Sequence, residues 1–210
     1  CPVPKIAKHQ AGCSLMREPE HAASVIRAMT RAVRIPVTVK MRAGWNEHQI
    51  NAPELARMVE DAGAAAVAVH GRTAAQSYSG ESDWSLIAQV AERVRIPVFG
   101  SGDCVESAQI VSRLTDTAVA GVLVGRGALR NPWIFRQAAD VAGGRTPRPV
   151  SLDERGRFLL DYLDLLLGDR VDEQAGFRHA APGSAAASVP TTARGRERWV
   201  INKLRALNAW

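Results

Sequence analysis

Residues 95–126, RIPVFGSGDCVESAQIVSRLTDTAVAGVLVGR, decide how the chain folds. The apolar run 96–99 stops on Gly100, Ser101 and Gly102; Asp103 and an amphipathic stretch follow, and a second apolar run, 122–124, ends on Gly125 and Arg126. Two short strands about twenty residues apart with a helix between them form a βαβ unit, which is nearly always parallel and right-handed. Both strands end in glycine at the end where such folds bind ligands. Glycine lets an anion approach the backbone, and successive loop N–H groups make a cradle for phosphate. This stretch therefore reads as the phosphate-binding corner of a barrel.

Upstream, the same pattern repeats. RVRIPV at 93–98 echoes AVRIPV at 32–37, each at a helix-to-strand junction and 61 residues apart, or two βα units. The strands are expected at 35–41, IPVTVKM, and 64–70, AAAVAVH, which are short and rich in β-branched or small apolar residues. Before the first of them, Glu18 and Pro19 open a helix whose buried face is Ala22, Val25, Ile26, Met29 and Val33. Asn51, with Pro53 and Glu54 after it, starts a second helix with Leu55, Met58 and Val59 inward, ending at Gly63. A loop, AAQSYSGESD, leads to a third helix capped by Asp83 and running to Val94. Cys1-Pro2-Val3-Pro4 reads as a loop leaving an upstream strand, because both prolines push the residue before them to extended geometry.

Downstream, 127–142 reads as a helix interrupted by Asn131-Pro132-Trp133, followed by GGRTPRPV, a linker. Ser151 and Glu154 form a capping box before a helix carrying Phe158, Leu159, Tyr162, Leu163, Leu166 and Leu167. Residues 175–193, rich in Ala, Ser, Pro and Gly, read as a mobile loop; 194–205 form a basic segment with five cations against Glu197. Repeated βα units of about thirty residues argue for a (β/α)8 TIM barrel, of which the C-terminal half is here, over a doubly wound sheet, since no GxGxxG opens a helix after a strand. The expected domains are a partial barrel over 1–143, a linker over 144–150 and a helical domain over 151–210. Starting at Cys1 and ending on Trp210 within a pattern, the sequence reads as a fragment at both ends.

The composition is that of a globular protein: 46% hydrophobic residues over 210, with no apolar run near the ~20 residues of a membrane span. Three cysteines, Cys1, Cys13 and Cys104, at unrelated spacings and without CxxC, suggest neither a disulfide framework nor a metal site, and fit a reducing cytoplasm. A net charge of +6 favours a polyanionic partner.

In a barrel, side chains at the C-terminal ends of strands converge on one mouth, so Lys40, Arg42, His70, Arg72, Ser101, Asp103 and Arg126 become neighbours. Four cations beside a glycine-lined cradle suggest a phosphorylated ligand. Lys40 ends an otherwise apolar strand, where an ammonium must find a partner or lower its pKa. Cys1 is a loop thiol; near a pKa of ~8.5 it is mostly protonated at neutral pH and able to donate a proton.

Cys1-Pro2, Val39-Lys40-Met41-Arg42, His70-Gly71-Arg72-Thr73, Gly102-Asp103, Gly125-Arg126-Gly127 and Asn131-Pro132-Trp133 together resemble the tRNA-dihydrouridine synthases, and within them the bacterial B-type branch. The resemblance covers residues 1 to about 140 with ordered motifs, and 150–210 more loosely. It implies an FMN-binding barrel followed by a helical domain that grips tRNA, in a cytoplasmic enzyme reducing uridine to dihydrouridine in the D-loop. It also implies that Cys1 protonates uracil C5 while reduced FMN delivers hydride to C6, with NADPH reducing the flavin. Lys40 and His70 would contact the flavin ring, and Ser101, Gly102, Asp103, Gly125 and Arg126 the ribityl phosphate. Arg42 and Arg72 would face the substrate or the phosphate. Ser101 stands where the family usually has Asn. Two other readings remain: a different FMN barrel oxidoreductase acting on a free pyrimidine, and a non-catalytic RNA-binding module.

Overall fold

The apolar segments around Val39, Val67, Val98 and Val122 become four parallel strands in a computed structural model that describes residues 4–7, 9–168, 197, 200 and 201. The strands are β1 (Thr38–Arg42), β2 (Ala66–His70), β3 (Val98–Ser101) and β4 (Gly121–Leu123), and each pairs with the next in sequence order. Between them run α3 (Ala52–Asp61), α4 (Trp84–Arg93) and α5 (Ser107–Asp116). Ahead of β1 lie α1 (Pro4–Ala7), a 3-10 turn (Gly12–Arg17) and α2 (Pro19–Ala32); after β4 come α6 (Arg126–Arg130), α7 (Ile134–Ala142) and α8 (Leu152–Gly168).

Two strands begin later than the apolar pattern suggests. Ile35 and Ile96 each precede a proline, which has no N–H to give to the ladder, so pairing starts at Thr38 and Val98. Pro97 still takes part as an acceptor, its carbonyl receiving Val67 N–H at 3.0 Å. At the chain's start, helix begins at Pro4, the first-turn position where proline is tolerated because its missing N–H is unused. The 3-10 turn has no counterpart in the sequence reading; Asn51 explains what holds it. Asn51 stands at the N-cap of α3, but its Nδ2 donates to Met16 O at 2.7 Å instead of its side chain capping the helix.

The helices cover one face of the sheet. Val67, Val69, Ile87, Val90 and Ile134 are fully buried there, in one core with Leu55, Val59 and Trp84. Asp83 caps α4 as expected, its Oδ1 accepting Leu86 N–H at 3.0 Å. The α2 stripe is only half used: Ala22 is buried, whereas Met29 and Val33 are exposed. That helix packs mainly on α3 and the 3-10 turn, and in its last turn Thr30 Oγ1 donates to Ala62 O at 2.8 Å.

The opposite face alternates with the covered one. On β1 to β3 it carries Lys40, Arg42, Ala68, His70, Phe99 and Ser101, and a cavity opens over its C-terminal end. A doubly wound sheet has helices on both faces. Parallel strands in sequence order with helices on one side make a TIM-barrel-like α/β fold.

The chain divides into two compact units, 1–147 and 148–210. In the second, Glu154 N–H donates to Ser151 Oγ and Ser151 N–H to Glu154 Oε2, both at 3.2 Å, which closes the capping box before α8. Phe158, Leu159, Tyr162, Leu163 and Leu166 are half-buried along one stripe, Phe158 and Tyr162 stacking at 6.4 Å, while Leu167 is exposed. The mobile loop expected at 175–193 and, apart from residues 197, 200 and 201, the basic segment at 194–205 lie outside the described residues. No described helix is long and apolar enough to cross a membrane.

Candidate functional site

Strand register brings the expected residues into one row. Arg42 pairs with His70, His70 with Ser101 and Ser101 with Leu123, while Lys40 lies one pleat earlier on the same face. Residues in register on adjacent parallel strands point to the same side. These side chains therefore share the uncovered face of the sheet at the strands' C-terminal ends. A cavity of about 370 Å³ opens there, within the range of small-molecule sites. Lys40, Arg42, His70, Ser101, Gly102, Asp103, Gly125 and Arg126 all line it. Cys1 lies outside the described residues.

Asp103 is the junction of this site. It adopts a left-handed φ of 53°, uncommon outside glycine, and follows Gly102 at φ 131°. A side chain on Gly102 would collide with Ser82 Oγ, so the close approach of the two loops requires glycine. From that position Asp103 Oδ2 accepts Arg72 Nη2 at 2.8 Å and Ser82 N–H at 2.7 Å, while Oδ1 accepts Arg126 Nη2 at 3.0 Å. Trp84 Nε1 donates to Gly102 O at 3.0 Å from below. One carboxylate thus ties the ends of β2, β3 and β4 together.

Arg42 and Arg72 are both buried, and each gives hydrogen bonds to carbonyls of the loop after β2. Arg42 Nη1 donates to Ser77 O at 2.8 Å and Thr73 O at 3.3 Å; Arg72 donates to Ser79 O at 3.1 Å and Gly80 O at 2.6 Å. The loop is held as if by two pins. At its tip Tyr78, exposed at 61%, stands between two guanidinium groups, 5.9 Å from Arg42 and 4.9 Å from Arg126.

Burial, modified by neighbouring charges and hydrogen bonds, sets the protonation states. Burial, with Arg42, Lys40 and Arg72 nearby, pulls His70 down to about 4, so the ring is neutral at pH 7. Lys40 belongs to an exposed edge strand, yet protein packed around its ammonium, reinforced by Arg42, lowers its pKa. Burial works against ionised Asp103, but the hydrogen bonds from Arg72 and Ser82 and the charges of Arg72 and Arg126 outweigh it and hold the carboxyl below its usual value. Cys104, beneath the corner, is pushed up to about 11 by burial and stays a thiol.

The sequence reading missed Tyr78, Ser82 and Trp84, which belong to the site through the pinned loop. The available signal was the length of AAQSYSGESDW: a loop of that size with an aromatic inside it, between a strand end and a capped helix, is more than a connection. Among the described residues no group of three His, Cys, Asp or Glu side chains is placed to hold a metal ion.

Residues 1–197 match the model of a protein family described as dihydrouridine synthase. A "Probable tRNA-dihydrouridine synthase" of Treponema pallidum is 44% identical over 178 residues, covering 80% of this chain and 52% of the relative. One of Rhodobacter capsulatus is 41% identical over 80% of this chain and 52% of its own length. A "tRNA-dihydrouridine synthase B" of Xanthomonas campestris is 40% identical over 79% and 50%. The chain thus spans about half the length of these relatives. Among solved structures, nitroalkane oxidase from Streptomyces ansochromogenes is 26% identical over 50% of this chain and 37% of that one, with a TM-score of 0.33.

Proposed function

Because the chain belongs to the dihydrouridine synthase family, we propose that it is the cofactor-binding half of an enzyme that reduces uridine to 5,6-dihydrouridine in the D-loop of tRNA, with NADPH as electron donor. In this reading the four strands are part of a closed (β/α)8 barrel in a cytoplasmic protein, and the residues after 150 belong to a helical domain that holds tRNA. The observation that carries it is the row of Lys40, Arg42, His70 and Ser101 facing a glycine corner across one cavity.

The residues present fit FMN. A Cβ built on Gly125 meets nothing within 4 Å, so there is open space beside the backbone for a phosphate, with Arg126 adjoining. When bound, the flavin supplies the hydride for uracil C6. Lys40, with its lowered pKa, is suited to donate a hydrogen bond to an electron-rich ring atom, and neutral His70 to contact the ring without adding charge. Ser101, Gly102, Asp103, Gly125 and Arg126 would surround the ribityl phosphate. Arg126, bonded to Asp103, would be placed to contact the phosphate as well, whereas Arg42 and Arg72, bonded to carbonyls after β2, would hold the loop that shapes the mouth.

Cys1 is the proposed acid. Hydride at C6 leaves negative charge conjugated with the C4 carbonyl, and a positioned thiol can protonate C5. Cys1→Ala is expected to leave flavin reduction by NADPH intact while dihydrouridine formation falls by at least about a hundredfold, the scale of a lost general acid. Equal turnover by the variant removes Cys1 from the reaction. The function itself is tested by mass spectrometry of tRNA from cells with and without the gene. The expected result is the loss, at one or more D-loop positions, of the mass of two hydrogens; tRNA of unchanged mass overturns the assignment.

A further inference from the structure

A second hollow of about 580 Å³ adjoins the cavity and shares Tyr78, Asp103, Val105 and Arg126 with it. It reaches to Arg113 on α5 and Arg130 on α6, with Arg72 and Glu81 from the pinned loop also in its lining. Four guanidinium groups thus meet two carboxylates, and the balance is worse than that count. Asp103 is already shared by Arg72 and Arg126. Arg113 lies over the Trp84 ring at 5.1 Å, and Arg130 is exposed; neither is ion-paired with a carboxylate among the described residues. Arg72 Nη1 is buried with no hydrogen-bond partner among them. Like charges gathered this closely repel one another unless an anion sits between them.

The chemistry of that anion follows from the lining and the position. Planar guanidinium forks match phosphate oxygens two at a time, which makes such a surface better suited to phosphodiesters than to single carboxylates. A base that enters the cavity stays covalently attached to its backbone, and exposed Tyr78 lines both the cavity and the hollow, so a backbone that leaves past Tyr78 enters the hollow.

We propose that this arginine-lined hollow seats the phosphodiester backbone flanking the target nucleotide, with Arg113 and Arg130 as contacts and Glu81 setting an upper limit on the attraction. The proposal rests on the reading of the cavity as the place where an RNA base is reduced. It predicts opposite effects for two substitutions on opposite walls, which a general loss of structure does not produce.

The test measures tRNA affinity by fluorescence anisotropy across a series of KCl concentrations for the wild type, Arg130→Gln and Glu81→Gln. NADPH affinity, FMN binding and the unfolding midpoint are followed in parallel. Arg130→Gln is expected to weaken tRNA binding several-fold and to flatten the slope of log affinity against log salt by about one. Glu81→Gln is expected to tighten it, and both are expected to leave FMN binding and the midpoint unchanged. Wild-type binding that neither substitution alters overturns the proposal and leaves the enzyme assignment standing. Weakened NADPH binding with unchanged tRNA binding gives the hollow to the dinucleotide and also overturns it. Wild-type protein that binds no tRNA overturns both readings.

Discussion

The two faces of the four-stranded sheet follow different rules. Under α3, α4 and α5 the strands present Val67, Val69, Val98 and Met41, all buried in one apolar core. Across the same backbones the other face presents Lys40, Arg42, His70 and Ser101, a set that no folding argument favours. Burying apolar area stabilises, while burying Lys40, Arg42 and His70 beside one another disfavours their charged forms and lowers their pKa values. The comparison teaches that stability is concentrated on one side of this sheet and chemistry on the other, with Asp103 and the pinned loop between them.

The largest expected effect lies on the covered face. Ile87, fully buried, leaves a cavity when cut to Ala, and Ile87→Ala is expected to lower stability by about 2–5 kcal/mol in urea unfolding. A loss below ~1 kcal/mol would mean that the helices do not pack on the strands as described. Next comes the boundary. Arg72→Ala strips partners from Asp103, Ser79 O and Gly80 O, and is expected to cost about 2 kcal/mol and to make the loop at 73–82 the first site of proteolysis. If Arg72→Ala behaves as a neutral surface change, the loop is not pinned, and the two faces are less distinct than they look.

A smaller effect tests the open face by titration. His70 binds its proton near 4 in the folded protein and near ~6.5 when unfolded, so the unfolded chain takes up more protons between those values. Stability should therefore rise with pH across that window and level off above it. His70→Asn should flatten this part of the profile; an identical profile in the variant would show that burial and the neighbouring cations do not hold the ring neutral. Smallest of all should be the effect of Lys40→Ala on stability, within about 0.5 kcal/mol, since the residue is exposed and holds nothing together.

How much of this was legible in the sequence differs along the same line. The covered face was readable because burial leaves a periodic trace: the strands around Val39, Val67, Val98 and Val122, the capped α4, and the break at Asn131-Pro132-Trp133 all come from apolar spacing and local turn chemistry. The strand starts slipped because Ile35-Pro36 and Ile96-Pro97 look like strand by side chain and are excluded by backbone. The open face was readable only as positions at strand ends. Lys40, Arg42, His70 and Ser101 could be brought together by assuming parallel neighbours, but nothing in the sequence distinguishes a half-exposed arginine bonded to a carboxylate from one buried among carbonyls. Arg72 and Arg126 look alike in sequence, yet one is buried under Ser79 and Gly80 and the other is half open beside Tyr78. Tyr78 and Trp84 were missed because their role depends on a loop whose path is set by those hydrogen bonds, not by periodicity.

The account stands most directly on whether the open face takes a flavin. FMN titrated into the protein and followed by quenching of its fluorescence is predicted to bind saturably, and Lys40→Ala and Gly125→Val are each predicted to weaken that binding at least tenfold with unfolding midpoints unchanged. Saturable binding that ignores both substitutions, or no binding at all, would contradict it.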